Sequence, residues 1–252
     1  MPGEPLAADR RGAGPAICLL HGFTQTARCW GDLVERLATS QAVVALDAPG
    51  HGASGDAAPD LWDTADRIAA TAGRATYVGY SMGARMALHV ALARPELVEG
   101  LVLISGTAGI DSAAERAERR AADERLADHI EAIGVPSFLD EWLALPLFVG
   151  LSASDADRPE RERNTAAGLA SSLRHAGTGT QQPLWDRLVT IDVPVLVVAG
   201  ARDPKFAALA ARLAGAIGRS ATLEIVEGAG HTVHRERPDA FAEVLGPWLR
   251  RR

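Results

Sequence analysis

Cysteine and lysine are scarce in this chain. Of its 252 residues only Cys18 and Cys29 are cysteines, and their spacing fits neither a metal site nor a disulfide framework, so we expect buried or free thiols. Lys205 is the only lysine, so any Schiff-base chemistry would have to use it. The scarcity argues against a disulfide scaffold and against a bound metal.

Long apolar runs and an excess of positive charge are also missing. No apolar run reaches the ~18 residues of a membrane span, and residues 1–4 lack the features of a signal peptide. The net charge is −6, without the basic stripe that nucleic acid would require. We therefore predict a cytoplasmic protein with no membrane span and no nucleic-acid partner. A monomer and a homo-oligomer are equally compatible with the sequence.

Short apolar runs alternate with helical patterns along most of the chain. Residues 1–12 could supply at most one short edge strand. The expected buried strands are 16–20, 42–46, 75–80, 100–105, 193–199 and 221–226. The expected helices are 30–37, 60–72, 81–93, 206–217 and a terminal helix that opens at Pro238. This alternation predicts an α/β fold with a doubly wound, mostly parallel sheet.

The alternation stops in one long segment. Residues 108–188 contain no strand-like run, only polar helical pattern interrupted by prolines. We predict that residues 1–107 and 189–252 form the core, and that residues 108–188 form an inserted helical lid.

The chain is organised around a Gly-x-Ser-x-Gly motif. Gly79, Ser81 and Gly83 stand where a strand pattern changes into a helical one, which predicts a sharp turn that presents the Ser81 hydroxyl. Taken alone, the motif also fits an ordinary glycine-rich turn between a strand and a helix.

Two later residues complete a candidate catalytic triad. Asp203 and His231 each follow a predicted strand, and the order Ser81, Asp203, His231 is that of α/β-hydrolases. His231 would accept the serine proton and Asp203 would orient the imidazole. Asp203 could instead cap the helix before Pro204, and His234 is the nearest competitor for the base.

Two backbone amides are the expected oxyanion donors. Phe23 follows the strand at 16–20, and Met82 follows the nucleophile. This assignment rests on position, because backbone donors do not depend on the side chain.

Two arginines are placed to meet an anion. Arg85 is one helical turn beyond Ser81 and could bind a substrate carboxylate or form a surface salt bridge. Arg119 falls on the apolar stripe of a lid helix, whereas Arg120 is rotated ~100° away. We therefore expect Arg119 to point inward and to require an anion.

Several stretches carry a family resemblance from Leu19 to the C-terminus. The specific ones are GYSMGAR at 79–85, Arg119 with Asp123 and Glu124, and GLASSLR at 168–174; GARDPKF at 200–206 and GHTVHRE at 230–236 match as acid and base loops. These residues resemble the 2-succinyl-6-hydroxy-2,4-cyclohexadiene-1-carboxylate synthase family of menaquinone biosynthesis, whose members have the α/β-hydrolase fold.

The resemblance implies a lyase without a cofactor. Such an enzyme eliminates pyruvate from a small anionic enolpyruvyl substrate, with the triad serine as the base. The family arginines that bind substrate carboxylates match Arg85, Arg119 and, across a shorter lid, Arg161. Family pocket residues match Tyr80, Trp142 and Phe148, although packing of the lid on the core would also explain Trp142 and Phe148.

Two other classes of function compete with this lyase. A hydrolase of an ester, or of a carbon–carbon bond in a dienone acid, could use the same triad with water. A binding protein on this fold would be expected to lack a triad residue. The clustered arginines favour the lyase, because a simple carboxylesterase has no need of three cations.

Overall fold

The computed structural model describes residues 5–55 and 57–251. Residues 1–4, on which the prediction about a signal peptide rests, lie outside the described residues. Seven strands form one sheet in the order β1-β3-β2-β4-β5-β6-β7. They are β1 Ala8–Arg11, β2 Ala16–Leu20, β3 Ala42–Leu46, β4 Ala75–Tyr80, β5 Val98–Ile104, β6 Val195–Gly200 and β7 Ala221–Val226. Only β1 is antiparallel, pairing with β3 at the sheet edge.

Helices connect and cover these strands. They are α1 Leu33–Ala38, α2 Leu61–Ala72, α3 Met82–Ala93, α4 Ala113–Leu143, α5 Arg158–Arg161, α6 Ala166–Ala176, α7 Pro204–Ile217, α8 Val233–Glu236 and α9 Pro238–Arg251. None of the helices within the described residues is long and apolar enough to cross a membrane. Both cysteines are buried and unpaired, as predicted.

The core consists of two apolar layers, one on each face of the sheet. Successive side chains of a strand point to opposite faces. In β2, Cys18 and Leu20 therefore face the layer that contains α2 and α3 residues, whereas Ile17 and Leu19 face the layer that contains α1 and α9 residues. Because both faces are covered, the central strands are apolar throughout.

Several element boundaries differ from those predicted, and three of the differences have a clear physical reason. The helix expected from Trp30 begins at Leu33, because residues before it form turns, with Cys29 N donating to Thr26 O at 3.1 Å. Strand β6 begins at Val195, after Pro194, which has no N–H to donate to the ladder. Helix α7 begins earlier than predicted, at Pro204, since proline is favoured in the first helical turn.

The segment between β5 and β6 contains helices joined by turns, and none of its described residues forms a strand. Helix α4 is broken at Gly134, where φ is 75° and ψ is 165°, and continues beyond that kink. Helices α4 and α6 pack through a separate apolar cluster that includes Ile130, Phe138 and Leu169. This arrangement fits the predicted lid, and the division into core and lid stays a prediction.

Four buried histidines make stability depend on pH. Burial lowers the pKa of His21 and His89 to about 4 and that of His51 and His234 to about 3, from 6.5. Between pH 6.5 and its folded-state pKa, each histidine stays neutral in the fold but binds a proton in the unfolded chain. Its contribution to the free energy of unfolding is therefore present above pH 6.5 and is lost as the pH falls toward the folded-state pKa.

We expect the free energy of unfolding to fall by on the order of 1–2 kcal/mol per buried histidine between about pH 7 and about pH 5. Denaturant titrations at several pH values measure it. His89→Gln should flatten the dependence. An unfolding free energy that is constant over this range would contradict the account.

Candidate active site

The candidate site lies where the strand order reverses. Strand β2 has β3 on one side and β4 on the other, so the connections after β2 and β4 leave in opposite directions. The crevice between the carboxyl ends of such strands is where open α/β sheets bind ligands. Phe23 follows β2 and Ser81 follows β4, so the sheet itself brings them to this crevice.

Ser81 occupies the sharp turn that the motif predicts. Its φ is 52° and its ψ is −104°, a conformation that costs a non-glycine residue about 1–3 kcal/mol. A Cβ added to Gly79 would lie 2.2 Å from Gly83 O, and one added to Gly83 would lie 1.9 Å from Leu20 O. The two glycines therefore allow β4, α3 and β2 to approach closely enough to hold the turn.

Ser81, His231 and Asp203 form a continuous hydrogen-bonded chain. With its proton on Nδ1, His231 donates to Asp203 Oδ2 at 2.9 Å, and its Nε2 accepts from Ser81 Oγ at 3.2 Å. The imidazole is buried and packs 4.3 Å from the Phe206 ring, measured between centroids. The geometry suits transfer of the serine proton to Nε2.

Asp203 fills both roles considered from the sequence. Its Oδ1 accepts from Phe206 N at 3.1 Å and caps α7, while Oδ2 faces His231. Burial alone would raise the pKa of Asp203, but the hydrogen bonds from His231 and Phe206 outweigh burial and lower it. The carboxylate therefore stays charged beside the imidazole.

Two backbone amides belong to residues that line the same cavity as Ser81. Phe23 and Met82 both line the cavity, and neither backbone N–H donates a hydrogen bond to a residue within 5–55 or 57–251. Free amides beside a nucleophile suit the stabilisation of a developing oxyanion. Their role as oxyanion donors stays a prediction.

His234 is buried among aromatic rings, apart from the hydrogen-bonded chain. Its ring centroid lies 4.7 Å from that of Trp30 and 4.7 Å from that of Tyr80. Burial lowers its pKa to about 3. His234 thus contributes to the packing around Tyr80, and the choice of His231 as the base stays a prediction.

One cavity of about 320 Å³ gathers the predicted residues. Ten of the eleven predicted site residues line this cavity. The eleventh, Asp203, does not line it and contacts His231. The ten are Phe23, Tyr80, Ser81, Met82, Arg85, Arg119, Trp142, Phe148, Arg161 and His231.

Two guanidinium groups are buried in this cavity without a carboxylate partner. Arg85, 7% exposed, donates to Ala176 O at 2.8 Å and to Gln181 Oε1 at 3.4 Å. Arg161, 1% exposed, donates to Ala156 O at 2.6 Å and to the Thr24 hydroxyl. Neither forms a salt bridge within the described part of the chain. Burial lowers the pKa of Arg85 to about 10 and also lowers that of Arg161.

Arg119 lies at the rim of the cavity. It lines the cavity, as expected of an arginine that points inward, but its side chain is 45% exposed. Its anion is Asp123 of the same helix, buried, with Oδ1 2.8 Å from Arg119 Nε. Periodicity fixed the face of the helix but not the reach of the side chain, which ends at the rim of the cavity.

The three predicted aromatic residues all line the cavity. Trp142 lies 5.4 Å from Phe23 and 5.7 Å from Phe148 between ring centroids, so its ring both packs the helical segment on the loop after β2 and faces the cavity. Tyr80 shares a hydrogen bond of 2.9 Å with the Thr232 hydroxyl. Both roles considered for Trp142 and Phe148 therefore fit their positions.

Several lining residues were missed by the sequence analysis. Lys205 and Phe206 lie two and three residues after Asp203, and their place near the acid was the available signal. Ser172 contacts Met82, with Oγ 3.6 Å from the sulfur. Ser172 is part of the GLASSLR stretch that carries the family resemblance, which was its available signal. Leu126, Leu147 and Thr178 also line the cavity from the helical segment. No group of three or more potential metal ligands occurs among the described residues.

Comparisons with known proteins show the family of this chain. The profile of the alpha/beta hydrolase family matches residues 19–244, and the chain belongs to that family. It is 37% identical, over 97% of its length and 93% of the relative's, to a Bacillus subtilis (strain 168) protein named provisionally as a 2-succinyl-6-hydroxy-2,4-cyclohexadiene-1-carboxylate synthase.

Two further similarities identify the family within the alpha/beta hydrolases to which the chain belongs. A synthase of the same name from Salmonella schwarzengrund (strain CVM19633) is 32% identical over 99% of this chain and 97% of the relative. The solved structure of MenH from S. aureus has a TM-score of 0.87 and 29% identity, covering 97% of this chain and 98% of that one. Within the alpha/beta hydrolases, the chain thus belongs to the 2-succinyl-6-hydroxy-2,4-cyclohexadiene-1-carboxylate synthase family, as the sequence resemblance predicted.

We expect Ser81→Ala, Asp203→Asn and His231→Ala each to lower turnover at least about 10³-fold without unfolding the protein, because a hydrogen-bonded triad works as a unit. Turnover and circular dichroism are measured together, with His175→Ala at an exposed position on α6 as the control. Near-wild-type turnover of a folded Ser81→Ala protein would exclude the serine as the base or nucleophile.

Proposed function

We propose that this chain is a carbon–oxygen lyase of menaquinone biosynthesis. It would eliminate pyruvate from 2-succinyl-5-enolpyruvyl-6-hydroxy-3-cyclohexene-1-carboxylate to give 2-succinyl-6-hydroxy-2,4-cyclohexadiene-1-carboxylate. Membership of the synthase family supports this reaction, and the observation in the site that carries it is the pair of buried, unpaired guanidinium groups.

The buried arginines favour a substrate with several carboxylates. Removing a cation from water is costly unless an anion compensates it. Arg85 and Arg161 have only neutral oxygen partners, so carboxylates of a ligand would supply the missing anions through charge-assisted hydrogen bonds. The proposed substrate carries carboxylates on the succinyl chain, on the ring and on the enolpyruvyl group. Arg119, at the rim of the cavity, could bind a further carboxylate of the substrate.

The triad then acts as a relay to carbon. Ser81 Oγ gives its proton to His231 Nε2 and removes the proton from the ring carbon next to the succinyl ketone. The amides of Phe23 and Met82 stabilise the negative charge that develops on the ketone oxygen. The electron pair moves through the ring double bond and breaks the carbon–oxygen bond to the enolpyruvyl group, which leaves as the enolate of pyruvate and takes up a proton. No acyl-enzyme forms.

Hydrolysis of an ester, or of a carbon–carbon bond in a dienone acid, is the second candidate. The hydrogen-bonded Ser81 and the two free amides would serve an acyl transfer equally well. The buried arginines distinguish the lyase from the hydrolase, because a neutral ester offers no anionic partner to Arg85 or Arg161.

The absence of a cofactor from the reaction and a cytoplasmic location stay predictions.

We expect Arg85→Ala and Arg161→Ala each to cost about 2–5 kcal/mol in kcat/KM for pyruvate release, the range for removing one partner of a buried charge pair. Arg119→Ala should cost about 1 kcal/mol or less, because that side chain is half exposed and Asp123 already compensates its charge. Pyruvate is followed enzymatically, with Arg120→Ala on the same helix as the matched control.

The same proteins are assayed with p-nitrophenyl acetate. The lyase predicts that any hydrolysis of this neutral ester changes far less than pyruvate release in the Arg85 and Arg161 variants. Brisk ester hydrolysis, no pyruvate release by the wild type and no response to either arginine would favour the hydrolase instead.

A further inference from the structure

The loop that carries His231 is held by a carboxylate beneath it. Glu236, the last residue of α8, accepts from Gly230 N at 2.7 Å through Oε2 and from Thr232 N at 2.9 Å through Oε1. These amides belong to the residues on either side of His231. One side chain thus fixes the peptide groups that flank the candidate base.

The carbonyl of His231 is fixed from the opposite side. Ser105 follows β5 and donates through Oγ to His231 O at 2.7 Å. Ser105 itself has a φ of 49°, a value that few non-glycine residues adopt. The side chains of two separate elements, α8 and the end of β5, therefore bind three consecutive residues of the base loop.

The surroundings of Glu236 are shaped for a carboxylate. Glu236 forms no ion pair within 5–55 and 57–251, so the two amides are its partners. A Cβ added to Gly230 would lie 2.9 Å from Oε2, and one added to Gly150 would lie 2.1 Å from the same atom. Two glycines leave the room that Oε2 occupies, and hydrogen bonds to a charged acceptor are among the stronger ones.

We propose that Glu236, together with Ser105, is a positioning residue that holds the His231 imidazole within reach of Ser81 Oγ. The inference rests on the proposed role of His231 as the base. Proton transfer needs a short and aligned contact, and His231 Nε2 lies 3.2 Å from Ser81 Oγ. A displacement of about 1 Å can cost on the order of 10²-fold in rate.

Glu236→Gln tests this role sharply. A carboxylate can accept from both amides, whereas a carboxamide has one oxygen and turns its NH₂ toward the other N–H. We expect kcat for pyruvate release to fall by about 10²-fold while KM changes by less than about twofold, because the arginines that bind substrate are untouched. Glu243→Gln, at an exposed position on α9, is the matched control.

Two further readouts separate positioning from general stability. Amide hydrogen exchange at Gly230 and Thr232 should accelerate in Glu236→Gln while the sheet amides stay protected. The rate of Ser81 labelling by a small fluorophosphonate, which needs the serine–histidine contact but no carboxylate recognition, should fall in parallel with kcat. Ser105→Ala should show the same pattern with a smaller loss of kcat. If Glu236→Gln does not fold, the Ser105→Ala protein tests the proposal in its place.

Wild-type kcat and labelling in folded Glu236→Gln would overturn the proposal, as would a rise in KM that accounts for the whole loss. The labelling also separates this inference from the proposed reaction. A wild type that releases no pyruvate but is labelled in a Glu236-dependent way would contradict the lyase and leave the positioning role supported.

Discussion

The burial of two guanidinium groups without a carboxylate is the constraint around which the site is built. Arg85 and Arg161 approach the cavity from α3 and α5, on opposite sides of β5 in the chain, and carbonyl, amide and hydroxyl oxygens hold them. Neutral oxygens orient a guanidinium but do not neutralise it, so the cavity keeps a positive charge that water cannot fully screen. A fold that tolerates this cost in the free protein is suited to a ligand that supplies the anions.

The sheet connects that charge to the chemistry. Because the strand order reverses between β2 and β4, the turn at Ser81 and the loop at Phe23 meet at one edge, and the close approach of Gly83 to Leu20 O fixes their separation. Loops after β6 and β7 bring Asp203 and His231 to the same edge. The segment between β5 and β6 supplies further lining residues, and the charged and the reacting groups face one cavity.

Much of this arrangement could be predicted from the sequence, for identifiable reasons. Residues that follow parallel strands must meet at one edge of the sheet, so Ser81 and His231 could be brought together without any structure. The environment of Arg119 could not be predicted. Helical periodicity identifies the face of the helix on which a residue lies, but it gives neither how far a flexible side chain extends nor the pairing of Arg119 with Asp123. The positioning role of Glu236 was not predicted for another reason. Its partners are backbone amides, which leave no mark in the sequence.

The central claim, that the two buried arginines bind two carboxylates of one ligand, is tested most directly by calorimetry. The ligand is 2-succinylbenzoate, an aromatic analogue of the product that keeps the succinyl and ring carboxylates, compared with its two monomethyl esters. The account predicts that each monoester binds at least about 30-fold more weakly than the dicarboxylate, since each leaves one buried guanidinium unpaired. Equal dissociation constants for the dicarboxylate and both esters would contradict it.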